Sequence, residues 1–252
     1  MISVIRVCDV PGVLSMTREF ITNLLVSEDE ISSLLWELQD DDPTAASDFF
    51  ARFSLGPMYH SNRFNETLER GHDILRLCTR LNQKVYQKIH KGYPFYFMGM
   101  AAYRMHDFQS AIYYIDAALS EDLKNFPSNP DSPPSLFLRL EGDDERQAAK
   151  YIVQGAQESI EEYIDFYNQI IESNNNDSPL LSIEYLRSTL LGPAVTSNNP
   201  NKRSLASTFI TFFLEFKYRD MQLGLRPEPG TNEPFFVHLF KGCLLFESFL
   251  KK

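Results

Sequence analysis

Apolar residues recur at three- and four-residue steps along most of the chain, and alternating apolar and polar patterns are almost absent. The first spacing places apolar side chains on one face of an α-helix, whereas alternation would indicate a half-buried strand. The pattern predicts helices over residues 66–90, 144–172, 203–223 and 234–251, and two helices joined by a short hinge over 95–121. The sequence therefore predicts an all-α fold.

The clearest break in this pattern is a proline-rich segment near the middle of the chain. Residues 125–135 (NFPSNPDSPPS) contain four prolines and no apolar period, which is typical of a loop or linker. We therefore expect a helical segment over 1–124, a proline-rich linker or loop over 125–135, and a helical bundle over 136–252. The length of 252 residues suits one large domain or two small ones.

Charge and hydropathy exclude two classes of partner. The chain has 24 basic and 34 acidic residues, a formal charge of −10, which argues against bulk DNA binding. No apolar run approaches the roughly 18–20 residues of a membrane span, and we see no secretory signal, so no membrane partner is expected. Three distant cysteines, Cys8, Cys78 and Cys243, are typical of buried, reduced thiols in a cytoplasmic protein.

Motifs for metals and cofactors are missing. Glu69 and His72 have a spacing that can ligate iron in helical bundles, but no second helix carries the matching motif. The 11 glycines are scattered and form no phosphate-binding loop. The sequence therefore predicts no metal site and no cofactor.

Residues 92–125 have the length and pattern of two closely packed antiparallel helices. Small residues that would let the helices approach alternate with bulky ones that would fill the groove: Phe95, Gly99, Phe108, Ala111, Ile115 and Ala118. The segment resembles a single tetratricopeptide repeat, with Ala102 where tyrosine is usual and Leu123 where proline is usual. That resemblance implies a concave surface for a peptide or protein partner; an ordinary tightly packed helical hairpin fits the same residues.

The same hairpin is rich in aromatic side chains. Exposed aromatic residues with polar neighbours are typical of protein-binding surfaces. The candidate partner-binding residues are Tyr93, Phe95, Tyr96, Tyr103, Tyr113 and Tyr114. The alternative is that these rings pack against the helices on either side.

Residues 180–252 comprise a long helix with an arginine near its end, a short loop and a final apolar helix. This arrangement resembles the end of a HEPN domain, a small helical bundle of many prokaryotic ribonuclease toxins and antiviral proteins. Arg219 and Asp220 match the start of the family's catalytic motif, but Gly224 stands where the family has histidine. Glycine cannot transfer a proton, so His238 on the last helix is the candidate substitute. The alternatives are an ion-paired Arg219 and a His238 that only packs.

Together the two resemblances imply a protein–protein interaction or regulatory subunit in a prokaryotic antiviral defence, stress or toxin–antitoxin system. HEPN bundles usually pair through their long helices, so we expect a homodimer or hetero-oligomer formed by the phenylalanine-rich helices 203–216 and 235–249. The alternative function is a metal-independent endoribonuclease that acts as a dimer on RNA through Arg219, Asp220 and His238. A third hypothesis is a sensor whose groove binds a peptide or small ligand.

Overall fold

A computed structural model describes residues 27–38, 49–126, 131–142, 148–174, 179–197, 199–225 and 233–250. These residues form helices joined by turns, and none of them forms a strand, which confirms the predicted all-α fold class. The chain divides into two compact units, Met1–His90 and Lys91–Lys252. We describe each unit by itself.

The described part of the first unit consists of helices of 5 to 18 residues around an aromatic and aliphatic core. Its helices are α1 (Glu28–Glu37), a 3₁₀ helix (Phe49–Phe53), α2 (Leu55–His60), α3 (Phe64–Leu81) and α4 (Gln83–Lys88). The helix predicted over 66–90 is divided at Asn82, whose backbone is extended and whose side chain accepts a hydrogen bond of 3.1 Å from the amide of Val85. Asparagine caps a new helix in this way, and here it interrupts the predicted one.

The second unit begins with the predicted hairpin, α5 (Gly92–Arg104) and α6 (Phe108–Asn125). Asp107 caps α6 by accepting a hydrogen bond from the amide of Ser110. The two helices pack so closely that a Cβ on Gly99 would lie 2.8 Å from Cδ1 of Ile115. Glycine is therefore required at this crossing. The tetratricopeptide resemblance itself stays a prediction.

The rest of the second unit packs around one long helix, α11. Its helices are α7 (Pro133–Leu138), α8 (Lys150–Ser173), α9 (Ile183–Leu186), a π-helical turn (Arg187–Leu191), α10 (Gly192–Val195), α11 (Pro200–Leu225) and α12 (Glu233–Leu250). Helix α11 contacts α6, α7, α8, α10 and α12. The hairpin, α8 and α12 therefore all pack against α11.

Helices on both sides of the predicted linker belong to this second unit. Helix α6 continues to Asn125, and α7 begins at Pro133 because proline is well suited to the first turn of a helix. Residues 127–130 of the predicted linker lie outside the described residues. The contacts divide the chain between His90 and Lys91, and the domain boundary expected at 125–135 stays a prediction.

Candidate functional site

The seam between α11 and α12 brings together two of the three candidate catalytic residues, Arg219 and His238. Glu215 of α11 lies at its centre. Its carboxylate accepts a hydrogen bond of 3.2 Å from Arg219, one turn further along α11, and bonds of 2.7 and 2.9 Å from Lys241 of α12. Nδ1 of His238 lies 3.8 Å from the same carboxylate. One acidic group therefore joins two cations and a histidine across two helices.

The groups around Glu215 determine its protonation state. Burial raises the pKa of its carboxyl, but the hydrogen bonds and positive charges of Lys241 and Arg219 outweigh burial and hold the pKa below its ordinary value. Glu215 is therefore ionised at neutral pH. Glu215 was not among the predicted site residues, although it interrupts the apolar run Phe209–Phe216. A single carboxylate in an apolar helix segment was the available signal.

His238 packs inside the seam. Only 2% of the residue is exposed, and its ring stacks on Phe212 with 4.1 Å between ring centroids and 16° between planes. Neither ring nitrogen has a hydrogen-bond partner among the described residues. Burial lowers the pKa of His238; the charge of Glu215 opposes this, and the charges of Arg219 and Lys241 add to it. The imidazole is therefore neutral at pH 7.

Asp220 is separated from this cluster. It is exposed on α11, and its charge acts on Tyr163 of α8, whose pKa is raised first by burial and then by nearby carboxylates. The structure thus brings together Arg219 and His238 on Glu215 but leaves Asp220 on another side of α11. At Gly224 a Cβ would meet no atom of the described residues within 4 Å, apart from its own helix and chain neighbours.

The predicted aromatic partner surface of the hairpin is largely buried. Tyr96, Tyr103 and Tyr114 are buried, Tyr93 and Phe95 are half-buried, and Tyr113 is exposed. Burial of Tyr103 has a clear cause, because its hydroxyl shares a hydrogen bond of 2.8 Å with Thr211 of α11. The expectation of an open aromatic face was therefore wrong for the three buried tyrosines. Tyr113 alone of the six is exposed.

A different exposed apolar surface lies on α12. Helix α12 contacts α11 through a narrow strip that includes His238 and Leu245, which are buried. Five large side chains on its other sides are exposed: Val237, Leu239, Phe240, Leu244 and Phe246. We call these five residues the α12 apolar face. Cys243, predicted to be buried, is exposed between Phe240 and Phe246 at three-residue steps, whereas Cys78 is buried as expected. The third cysteine, Cys8, lies outside the described residues.

A groove of about 1080 Å³ runs along α11 between the start of α6 and α12. Its charged lining residues are balanced in sign, Asp107 and Glu215 against Lys202 and Lys241. Its floor includes Leu205 and Phe212 of α11. The groove borders the Glu215 cluster and gives that cluster access to solvent.

Within the described ranges, no three histidine, cysteine or acidic side chains are placed to hold a metal ion. No described helix is both long enough and apolar enough to cross a membrane. A scan with protein-family models, a search of curated proteins and a search of solved structures each give no match. Function is therefore inferred from the geometry of the described residues.

Proposed function

We propose that this chain is a protein–protein interaction or regulatory subunit, and that its partner surface is the α12 apolar face. The observation that carries the proposal is the exposure of five large apolar side chains on a helix that has only a narrow buried strip. Isolated exposed apolar residues are common on protein surfaces, but five large ones on a single helix are typical of a surface that another molecule covers.

The exposed area is large enough for such an interface. Phe240 and Phe246 each leave 65% of their surface accessible, which is about 130 Å² per residue for a side chain of roughly 200 Å². The five residues together expose on the order of 500 Å², near the upper end for the largest patch of a typical monomer. Two such faces would bury about 1000 Å², the lower bound for a specific interface.

The partner that we propose is a second copy of this chain. Each copy carries a formal charge of −10, so most contacts between copies would bring like charges together. The α12 apolar face carries no charge, and Glu247 is the acidic residue among the described side chains beside it. A symmetric interface uses the same patch on both subunits, which an uncharged face permits. The resemblance to HEPN bundles supports the same pairing and suggests a prokaryotic defence, stress or toxin–antitoxin setting in the cytoplasm.

Sedimentation equilibrium of the chain and of two matched variants tests this proposal. Phe240 and Tyr113 are equally exposed, at 65%, but Tyr113 lies on the hairpin and outside the α12 apolar face. We expect a dimer for the unchanged chain and for Tyr113→Glu, and a monomer for Phe240→Glu, because a buried unpaired carboxylate opposes association. A monomeric unchanged chain, or equal masses for both variants, would contradict the proposal.

The endoribonuclease hypothesis is the second candidate, and one observation favours it. Arg219 and His238 both lie against Glu215, as residues that act on one phosphate would have to lie close together. Burial of His238 and its lowered pKa weaken the hypothesis, because a proton-transferring group must reach the substrate. Cleavage of RNA by the purified chain that is lost in both Arg219→Ala and His238→Ala would establish it.

A further inference from the structure

A second, smaller pocket of about 360 Å³ lies on another side of α11, between the end of α5 and the start of α8. Its size falls in the range of small-molecule sites. Its lining includes aromatic and cationic side chains together with apolar ones such as Ile152, Leu214 and Met221; the first group is Arg104, His106, Tyr151, Lys217 and Tyr218. None of the pocket residues belongs to α12, so a ligand bound here would be independent of the proposed interaction function.

The charge of this pocket favours an anion. Arg104 and Lys217 line it, and none of its described lining residues carries a carboxylate. The neighbouring larger groove differs, because its acidic and basic residues are balanced. Lys217 contacts Glu158 of α8, but both side chains are largely exposed. An exposed ion pair of this kind contributes about 0–1 kcal/mol, so Lys217 can turn to an anionic ligand at little cost.

The rings of this pocket favour a flat ligand. His106 and Tyr218 stack with 3.9 Å between ring centroids and 16° between planes, which makes a rigid aromatic wall. The Tyr151 ring has two cations over it, with the guanidinium carbon of Arg104 at 5.3 Å and the ammonium of Lys150 at 5.8 Å from its centroid, and that tyrosine is exposed. Burial and the charge of Arg104 lower the pKa of His106, so its ring is neutral at pH 7. Aromatic rings beside cations are the chemistry that binds bases and their phosphates.

We propose that this pocket binds a nucleotide. The base stacks against Tyr151 and the His106–Tyr218 wall, and the phosphate binds Arg104 and Lys217. Tyrosine and arginine contacts of this kind tolerate any base, because each base has an aromatic face. The site therefore distinguishes a nucleotide from a free phosphate or a nucleoside more strongly than it distinguishes one base from another.

Calorimetric titration of the whole chain with each of the four ribonucleoside 5′-monophosphates, with adenosine and with inorganic phosphate tests the assignment. We expect the monophosphates to bind about tenfold more tightly than adenosine, because a charged hydrogen bond has about that value in affinity. Inorganic phosphate should bind more weakly than any of them. No binding of the monophosphates at millimolar concentration, or phosphate binding as tightly as AMP, would overturn the proposal.

Variants at exposed positions separate the two parts of the site. Lys217→Gln should lower AMP affinity about tenfold and leave adenosine within about twofold. Tyr151→Leu should lower both affinities about tenfold through lost stacking. Lys202→Gln and Tyr113→Leu are the matched controls, since both residues are exposed outside the pocket, and they should change neither affinity. Unchanged circular dichroism shows that each variant folds.

Single-stranded RNA is the competing ligand. If a uridine decamer binds and none of the monophosphates does, the pocket is part of a longer RNA-binding surface, and the nucleotide assignment is wrong. If Lys202→Gln weakens AMP binding as much as Lys217→Gln, the loss of affinity reflects the net charge of the chain rather than a contact in the pocket. The nucleotide assignment is then also wrong.

Discussion

Lys241 contacts both carboxylate oxygens of Glu215 across the seam between α11 and α12, with its nitrogen 2.7 Å from one oxygen and 2.9 Å from the other. Arg219 shares the same carboxylate from the α11 side. The pair holds α12 on α11 with His238 and Leu245 inward, and this orientation leaves Phe240 and Phe246 exposed. The seam therefore sets which side of α12 is available to a partner.

Removal of the Glu215 charge should loosen the seam. In Glu215→Gln, Arg219 and Lys241 lose their carboxylate while remaining beside each other, and we expect the free energy of unfolding to fall by about 1–3 kcal/mol. Urea denaturation should show a lower midpoint with an unchanged slope. Glu158→Gln, which removes an exposed partner of Lys217, should stay within about 0.5 kcal/mol of the unchanged chain. Equal effects of the two changes would show that the seam contributes no more than a surface ion pair.

The seam should also make stability depend on pH. The pKa of His238 is lowered in the folded chain, so the unfolded chain binds more protons, and stability falls as the pH drops below the ordinary histidine value of 6.5. Glu215, whose pKa is also lowered, adds a further loss below its ordinary value of 4.5. We expect His238→Phe to reduce the first part of this decline, leaving the share of His106, whose pKa is also lowered, and to keep the second part. The check is the unfolding free energy by urea between pH 7 and pH 4; a parallel curve for the variant would rule out the histidine contribution.

The close approach of the hairpin helices predicts a sharp effect at Gly99. A Cβ there would lie 2.8 Å from both Cδ1 and Cγ1 of the fully buried Ile115, so Gly99→Ala should destabilise the chain by about 1–3 kcal/mol. Gly155→Ala in α8 is the matched control. A Cβ at Gly155 would meet only Leu214, at 3.9 Å, and we expect a gain of about 1 kcal/mol from helix propensity. Thermal unfolding should therefore move in opposite directions for the two changes, and a shift in the same direction would contradict the close packing.

The hydrogen bond between Tyr103 and Thr211 joins the hairpin to α11. Both residues are buried, so Tyr103→Phe should lower the unfolding free energy by about 1–3 kcal/mol, because the threonine hydroxyl loses its partner. Combining it with Thr211→Val should cost less than the sum of the two single changes. A double-mutant cycle measures this coupling, and strict additivity would indicate that the contact contributes nothing.

Helical periodicity was sufficient to predict the all-α fold class but not the site. Helix α8 begins at Lys150, and residues 144–147 of the predicted helix lie outside the described residues. Helix α11 runs from Pro200 to Leu225, three residues earlier and two residues later than predicted. Differences of this kind arise at helix ends, where local capping interactions determine the first and last helical residues. Asn82, which starts α4 inside a segment of continuous apolar period, is the clearest case.

The site could not be predicted from the sequence because it depends on contacts between helices that are distant in sequence. Glu215 becomes the centre of the seam only when α12 brings Lys241 and His238 to it, and nothing in the local sequence of α11 indicates that approach. Tyr103 was predicted to face a partner because its own hairpin offers too little space for so many rings. In the structure, Thr211 of α11 covers Tyr103 and forms the hydrogen bond with its hydroxyl.

The central claim is that α12 carries the partner surface, and the labelling rate of Cys243 tests it at the helix itself. Cys243 is exposed between Phe240 and Phe246, so a maleimide reaches it in a monomer, and pairing through the α12 apolar face covers it. Labelling at Cys243, read by peptide mass spectrometry, should slow as protein concentration rises, and Phe240→Glu should abolish that dependence. A labelling rate that is the same at every concentration in the unchanged chain would contradict the claim.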